Sequence, residues 1–261
     1  QLFWFDILGK RLLSQQDGQP LEWALDERAS AAGWIDRDRL LMASETALSI
    51  FDVRSGAREQ VCALEADNPL TRSNDGRADP WGGFWIGTMG LEAQPQAGAI
   101  YRYYRGELRR LFADLSITNA ICFSPDRRFA YFADTARQQI WRQALDEQHG
   151  WPNGEPQPFI DGRVAGLNPD GAVIDSQGRL WSAQWGASRV ACYDSEGQFL
   201  QAVAFPASQI SCPAFGGADL STLFATSARD GLEDDQLDAE PHAGKLFAVD
   251  VPAQGQAEHQ V

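Results

Sequence analysis

Thr71 to Met89 reads T-R-S-N-D-G-R-A-D-P-W-G-G-F-W-I-G-T-M, which sets Arg72, Asn74 and Asp75 just ahead of a Gly-rich turn and an aromatic strand. A purely structural strand does not need a cation, an amide and a carboxylate at its start. Such a trio can hydrogen-bond the hydroxyls of a polar substrate or turn oxygen toward a cation. Counting back five residues from the turn-opening Asp79 reaches Asn74; the same count from Ser124 reaches Asn119, and from Asp175 it reaches Asp170. Two carboxamide oxygens and a carboxylate in one register are the donors of a hard-cation site, with water completing the shell. The same count from Asp36 gives Ala31, and the last copy offers Ser211 and Cys212, so the register is not uniformly polar. Asn and Asp ahead of a Gly or Pro turn also serve as local caps. Recurrence in three registers is what favours a site.

The elements that must position these residues repeat along the chain. Six hydrophobic pairs stand out: Phe3-Trp4, Leu40-Leu41, Phe84-Trp85, Tyr131-Phe132, Leu180-Trp181 and Leu223-Phe224. Their second members fall at 4, 41, 85, 132, 181 and 224, so the intervals run from 37 to 49 residues. Most follow a turn signal such as Asp79-Pro80-Trp81-Gly82-Gly83 or Ser124-Pro125-Asp126. A second strand-like run follows each pair: Lys10–Ser14, Ala47–Asp52, Ala99–Tyr104, Gln139–Gln143, Arg189–Asp194 and Lys245–Asp250. Alternation and aromatic content favour strands, and no long stretch has a 3.6-residue period. Six units of this length predict an all-β, six-bladed β-propeller forming one domain over residues 1–261. A two-sheet sandwich would explain short strands but not the recurrence.

Composition narrows the function. The chain has 261 residues, a formal net charge of −14 and three histidines in polar or terminal stretches. A surface of that sign repels phosphate backbones and anionic membranes, so no nucleic-acid or membrane partner is expected. The four cysteines (Cys62, Cys122, Cys192, Cys212) form no C-x-x-C pair and fit no zinc framework. Three lie in apolar runs, where a reduced, buried thiol is the simpler expectation. With no membrane-length apolar run and no visible signal peptide, a cytoplasmic location is expected. The acidic run Glu233-Asp234-Asp235 lacks the Gly and terminal Glu spacing of an EF-hand loop and reads as solvated. The sequence carries no signal for oligomeric state.

The chain resembles the senescence-marker-protein/gluconolactonase/regucalcin family of six-bladed propellers. The resemblance rests on Arg72-Ser73-Asn74-Asp75-Gly76-Arg77 with Asp79-Pro80 and Phe84-Trp85-Ile86-Gly87-Thr88-Met89. Further matches are Thr118-Asn119 with Ser124-Pro125-Asp126 and Tyr131 to Thr135, then Pro169-Asp170-Gly171 with Asp175, Gly178 and Trp181. Phe215-Gly216-Gly217 and Thr226 to Arg229 extend it almost to the C-terminus.

The resemblance implies a metal-dependent hydrolase that opens sugar lactones to aldonic acids, with a small-molecule sugar lactone as its partner. It implies one divalent metal ion (calcium, zinc, manganese or magnesium) on Asn119 and Asp170, with Asp170 also the catalytic base. Arg72 and Asn74 are implied substrate-binding groups, and Glu92 matches a substrate-contacting position on a mouth loop. A third metal ligand, a Glu in a Gly-Glu-Gly/Ser-Pro motif on the first inner strand, has no counterpart here. The first copy opens at Phe3-Trp4, on its second strand, so the first blade is expected without its inner strand and the chain as truncated at its N-terminus. Within the same family, a non-catalytic divalent-metal-binding regulatory protein of the regucalcin type is the alternative. A pure interaction scaffold would not need polar groups at Asn74, Asn119 and Asp170.

Overall fold

The computed structural model describes residues 1–261. The strands fall into six antiparallel sheets met in chain order, the blades of a β-propeller, as the repeat predicts. The first sheet holds β1 (Phe3–Asp6), β2 (Arg11–Gln16) and β3 (Gln19–Ala24). The second holds β4 (Ala29–Trp34), β5 (Arg39–Ser44), β6 (Ala47–Asp52) and β7 (Arg58–Ala63). The third holds β8 (Thr71–Ala78), β9 (Phe84–Gly90), β10 (Gly98–Tyr104) and β11 (Glu107–Leu115). The fourth holds β12 (Thr118–Phe123), β13 (Phe129–Asp134), β14 (Gln139–Ala144) and β15 (Gln157–Asp161). The fifth holds β16 (Asn168–Ile174), β17 (Leu180–Trp185), β18 (Arg189–Tyr193) and β19 (Phe199–Ala204). The sixth holds β20 (Ile210–Gly216), β21 (Thr222–Ser227) and β22 (Leu246–Asp250), with the short helix α1 (Asp234–Ala239) before its last strand.

Each hydrophobic pair found in the sequence lies on the second strand of a four-stranded pattern: β1, β5, β9, β13, β17 and β21. In β5, β9, β13 and β17 that strand is flanked on both edges and buried almost throughout, so its residues are apolar without alternation, whereas β1 is an edge strand and only half-buried. Every residue of β9 is buried. The first sheet begins at this second-strand position, as expected, and has three strands.

Two compact units can be distinguished: Gln1–Thr118 with Glu258–Val261, and Asn119–Ala257. In the first, Leu12, Leu40, Met42 and Phe51 form one interior, and Leu41, Leu48, Phe84 and Ile86 form another. Val261 packs into the second of these, and its N–H bonds to the Trp34 carbonyl at 3.0 Å. In the second unit, Tyr131, Ile140, Ile174 and Leu180 form one interior, and Trp181, Val190, Ile210 and Leu223 form another. Full burial of each large apolar side chain stabilises the fold by roughly 1.5–3 kcal/mol.

The turns are built alike. Asp79 Oδ1 accepts the backbone N–H groups of Trp81 (2.9 Å) and Gly83 (3.0 Å), and its Oδ2 accepts from Arg102 Nε at 2.6 Å. Both side chains of that ion pair are fully buried. Asp175 repeats the scheme with Gln177 and Arg179 backbone N–H groups, Arg179 Nε and Trp181 Nε1. These Asp side chains replace water on the loop amides and lock the entry to each second strand. All four cysteines are unbridged; Cys122 and Cys192 are buried, and Cys212 is exposed. No helix is long and apolar enough to cross a membrane.

Candidate functional site

Strand register gives the site its framework. Ser73 and Gly76 on β8 pair with Thr88 and Ile86 on β9, so β8 gains one residue across Asn74 and Asp75. The same slip occurs between Pro169 and Ala172 on β16, spanning Asp170 and Gly171, and between Ile210 and Pro213 on β20, spanning Ser211 and Cys212. On β12, Ala120 directly after Asn119 takes the left-handed conformation at φ 57°. A β-bulge bends its strand and re-aims the side chains at the extra residue. The residues singled out by sequence spacing therefore sit where each inner strand departs from regular pairing.

One position needs correcting. On β4 the slip falls between Ala29 and Ala31, so Ser30 is the equivalent of Asn74. Ala31 is instead a paired core residue, 6% exposed. Counting from Asp36 misplaced it because Asp36 is the second residue of its turn, whereas Asp79 and Asp175 are the first of theirs. Ser30 Oγ donates to Ser73 Oγ at 2.7 Å.

In the first unit, Arg72 and Asn74 are brought together. Arg72 Nη1 donates to Asn74 Oδ1 and to the Ser73 carbonyl, both at 2.9 Å. Asn74 Nδ2 donates to the Thr118 carbonyl at 2.8 Å, which fixes the amide plane. Gly87 makes that approach possible, since a Cβ there would collide with the Thr118 side chain. Glu92 is exposed on the turn after β9, where its backbone N–H bonds to Gln94 Oε1 at 3.2 Å.

In the second unit, Asn119 and Asp170 are linked through a residue to which the sequence assigned no role. Asn119 is 4% exposed, and its Nδ2 donates to Thr135 Oγ1 at 2.8 Å. Thr135 Oγ1 donates in turn to the Pro169 carbonyl at 2.6 Å, one residue before Asp170. Thr135 starts a short 3₁₀ turn that the buried Asp134 caps: its Oδ1 accepts the Ala136 N–H at 3.2 Å, and its Oδ2 lies 3.3 Å from Arg137 Nε. A second tie joins Gln138 Nε2 to Asn168 Oδ1 at 2.9 Å. Asp170 is half-buried, with Oδ1 accepting the Gly171 N–H at 2.9 Å. A Cβ on Gly171 would lie 2.9 Å from the Ser211 carbonyl oxygen and 3.0 Å from Cys212 Sγ, so glycine lets β16 lie against β20. In the sequence, Thr135 stands only as the last residue of the Tyr131 to Thr135 match, just after the second strand, with no role attached.

The donor chemistry fits a hard cation. Committing Asn119 Nδ2 to Thr135 turns the carboxamide oxygen the other way, and Asp170 adds a carboxylate on the neighbouring inner strand. No three His, Cys, Asp or Glu side chains cluster as a metal site, so any such centre needs the neutral oxygen of Asn119 and water.

Residues 1–229 match the sequence profile of the SMP-30/Gluconolactonase/LRE-like region. The chain is 38% identical over 263 residues to an L-arabinolactonase of Azospirillum brasilense, covering 98% of this chain and 86% of the relative. It is 34% identical over 260 residues to a 6-deoxy-6-sulfogluconolactonase of Pseudomonas putida, covering 98% and 89%. A crystal structure described as a calcium-binding protein, regucalcin, from Agrobacterium tumefaciens superposes with a TM-score of 0.97 at 40% identity, covering 99% of this chain and 88% of that one.

Proposed function

Because this chain belongs to the SMP-30/Gluconolactonase/LRE-like family, we propose that it is a lactonase that opens sugar lactones to aldonic acids by attack of water on the ring ester. The observation that supports this reading is the Asn119–Thr135–Pro169 relay, which ties Asn119 to the backbone one residue before Asp170 on the neighbouring inner strand.

The chemistry follows from what a lactone is. It is a cyclic ester, so the difficult step is attack on the carbonyl carbon, where negative charge develops on oxygen. Asp170 takes a proton from water as the water oxygen bonds to that carbon. The ring C–O bond then breaks, and the proton held by Asp170 passes to the departing ring oxygen. The product is a hydroxy acid, with all atoms of lactone and water accounted for. A divalent cation on Asn119 and Asp170, with water as further ligand, would supply Lewis acidity toward the carbonyl. Arg72 and Asn74 bind substrate hydroxyls through the guanidinium and amide groups that their mutual hydrogen bond orients. Glu92 adds a contact to a substrate hydroxyl from its turn.

A second reading, a metal-binding protein without turnover, draws on the likeness to the structure described as a calcium-binding protein. Product analysis separates the two. Incubation with pentono- and hexonolactones, followed by NMR of the ring-opened acid, gives turnover above the spontaneous rate for a lactonase. Metal binding without acid formation supports the second reading.

A further inference from the structure

The second unit contains a cavity of about 340 Å³ between its fourth and fifth sheets, with Pro169 of the inner strand β16 in its lining. That volume is at the lower end of the range of small-ligand pockets. One wall comes from β14 and β15 with Phe159, and the other from β17, β18 and β19. Phe199, 54% exposed, stands at the mouth, and Tyr193 packs edge-on against it with ring centroids 5.9 Å apart. Leu167 closes another side.

The polar groups are arranged in one direction. Arg189 Nε donates to Gln184 Oε1 at 2.5 Å, and Gln184 Nε2 donates to Tyr193 OH at 2.7 Å. Gln184 is 3% exposed and Tyr193 is 6% exposed, so this chain is built into the wall. Gln184 uses its oxygen on Arg189 and its nitrogen on Tyr193. Because the Tyr193 oxygen accepts from Gln184, its own O–H is left to donate. Burial also pushes the Tyr193 phenol above its usual range, so it keeps that proton at neutral pH. Arg189 uses only Nε in this chain, which leaves both Nη groups as a fork, and its Cζ lies 5.9 Å from the Phe199 ring centroid. The nearby carboxylate of Asp161 is taken by Arg163, which donates from Nε (2.9 Å), Nη2 (2.6 Å) and its backbone N–H (3.0 Å). The cavity thus pairs aromatic walls with a fork of donors and a phenolic donor.

We propose that this cavity is a second ligand site, distinct from Asn119 and Asp170, that takes a small aromatic carboxylate. The carboxylate meets the Arg189 fork in the bidentate geometry that guanidinium favours, and the Tyr193 hydroxyl supplies a third donor. The ring of the ligand lies among Phe159, Tyr193 and Phe199.

The test uses benzoate as the probe and benzyl alcohol as its neutral control, titrated calorimetrically against the full chain. Benzoate is expected to bind measurably below about 1 mM and more tightly than benzyl alcohol. Arg189→Gln weakens it tenfold or more, Tyr193→Phe weakens it several-fold, and Asp170→Asn leaves it unchanged. Should Arg189→Gln lower the melting temperature, Tyr193→Phe decides alone. Absence of binding, equal binding of both probes, or indifference to Tyr193→Phe overturns the proposal. So does loss of binding in Asp170→Asn with retention in Arg189→Gln, which would put the probe at the inner strands.

Discussion

Asn119 Nδ2 lies 2.8 Å from Thr135 Oγ1, and this hydrogen bond decides which way the Asn119 carboxamide oxygen points. The same hydroxyl donates to the Pro169 carbonyl, so one side chain sets the orientation of Asn119 and the backbone entering Asp170. Thr135→Val keeps the shape and removes both bonds. One hydrogen bond contributes roughly 0.5–1.5 kcal/mol. We expect kcat/KM to fall about tenfold and Tm to drop by a few degrees as both bonds are lost, and Thr135→Ser to restore most of each. Full turnover in Thr135→Val would show that the relay does not position the site.

Gly87 tests the backing of Asn74. A methyl group at residue 87 drives into Thr118, whose carbonyl holds the Asn74 amide. Gly87→Ala should cost about 1–3 kcal/mol, read as a lower midpoint in thermal denaturation. Adding Thr118→Ala should recover part of that loss. A Gly87→Ala protein as stable as the parent would contradict the close approach.

Much of this was legible in the sequence. The six hydrophobic pairs mark second strands because in the four middle sheets that strand is buried on both faces, and burial is written in residue type. Asn74, Asn119 and Asp170 were reached by counting from turn residues, which works where the turn acid holds the same place in its loop. It fails at Asp36, which stands one place later, so Ser30 was missed for Ala31. Thr135 was not legible because its role depends on the 3₁₀ turn that carries its hydroxyl to Pro169. The cavity beside Arg189 joins residues spread from Gln138 to Phe199, and no local pattern encodes such a meeting.

Two ion pairs should behave in opposite ways. Asp79 and Arg102 are both fully buried, 2.6 Å apart. Asp79→Asn removes one charge and leaves the other in the core, at a cost of about 3–5 kcal/mol. Arg163 and Asp161 are equally close at 2.6 Å but exposed. Arg163→Ala should leave the denaturation midpoint unchanged, because solvent screens the pair. Chemical denaturation of the two variants side by side checks the contrast.

Alkaline stability should report the buried thiol of Cys192. Burial pushes that thiol from 9.0 up to about 11. The folded chain therefore keeps a proton that the unfolded chain releases above pH 9, so the unfolded state is favoured as pH rises from 9 to 11. This contribution is fully present below pH 9 and lost through pH 11. Tyr131, pushed up to about 12 by burial, adds the same trend between pH 10 and 12. Thermal melts from pH 8 to 11 should decline less steeply in Cys192→Ala than in the parent, whatever the offset at pH 8. Equal slopes would contradict burial of the neutral thiol.

The most direct test is the initial rate of lactone opening, followed by pH-stat with glucono- and arabinonolactone. Rates are compared with added calcium, magnesium, manganese or zinc and with chelator, for the parent, Asn119→Ala and Asp170→Asn. The account predicts turnover in the parent that rises with at least one divalent metal and falls with chelator. It predicts weakened turnover in Asn119→Ala and loss of at least 100-fold, about 2.7 kcal/mol of barrier, in Asp170→Asn. A parent that never exceeds the spontaneous rate with any metal, or an Asp170→Asn protein as fast as the parent, would contradict it.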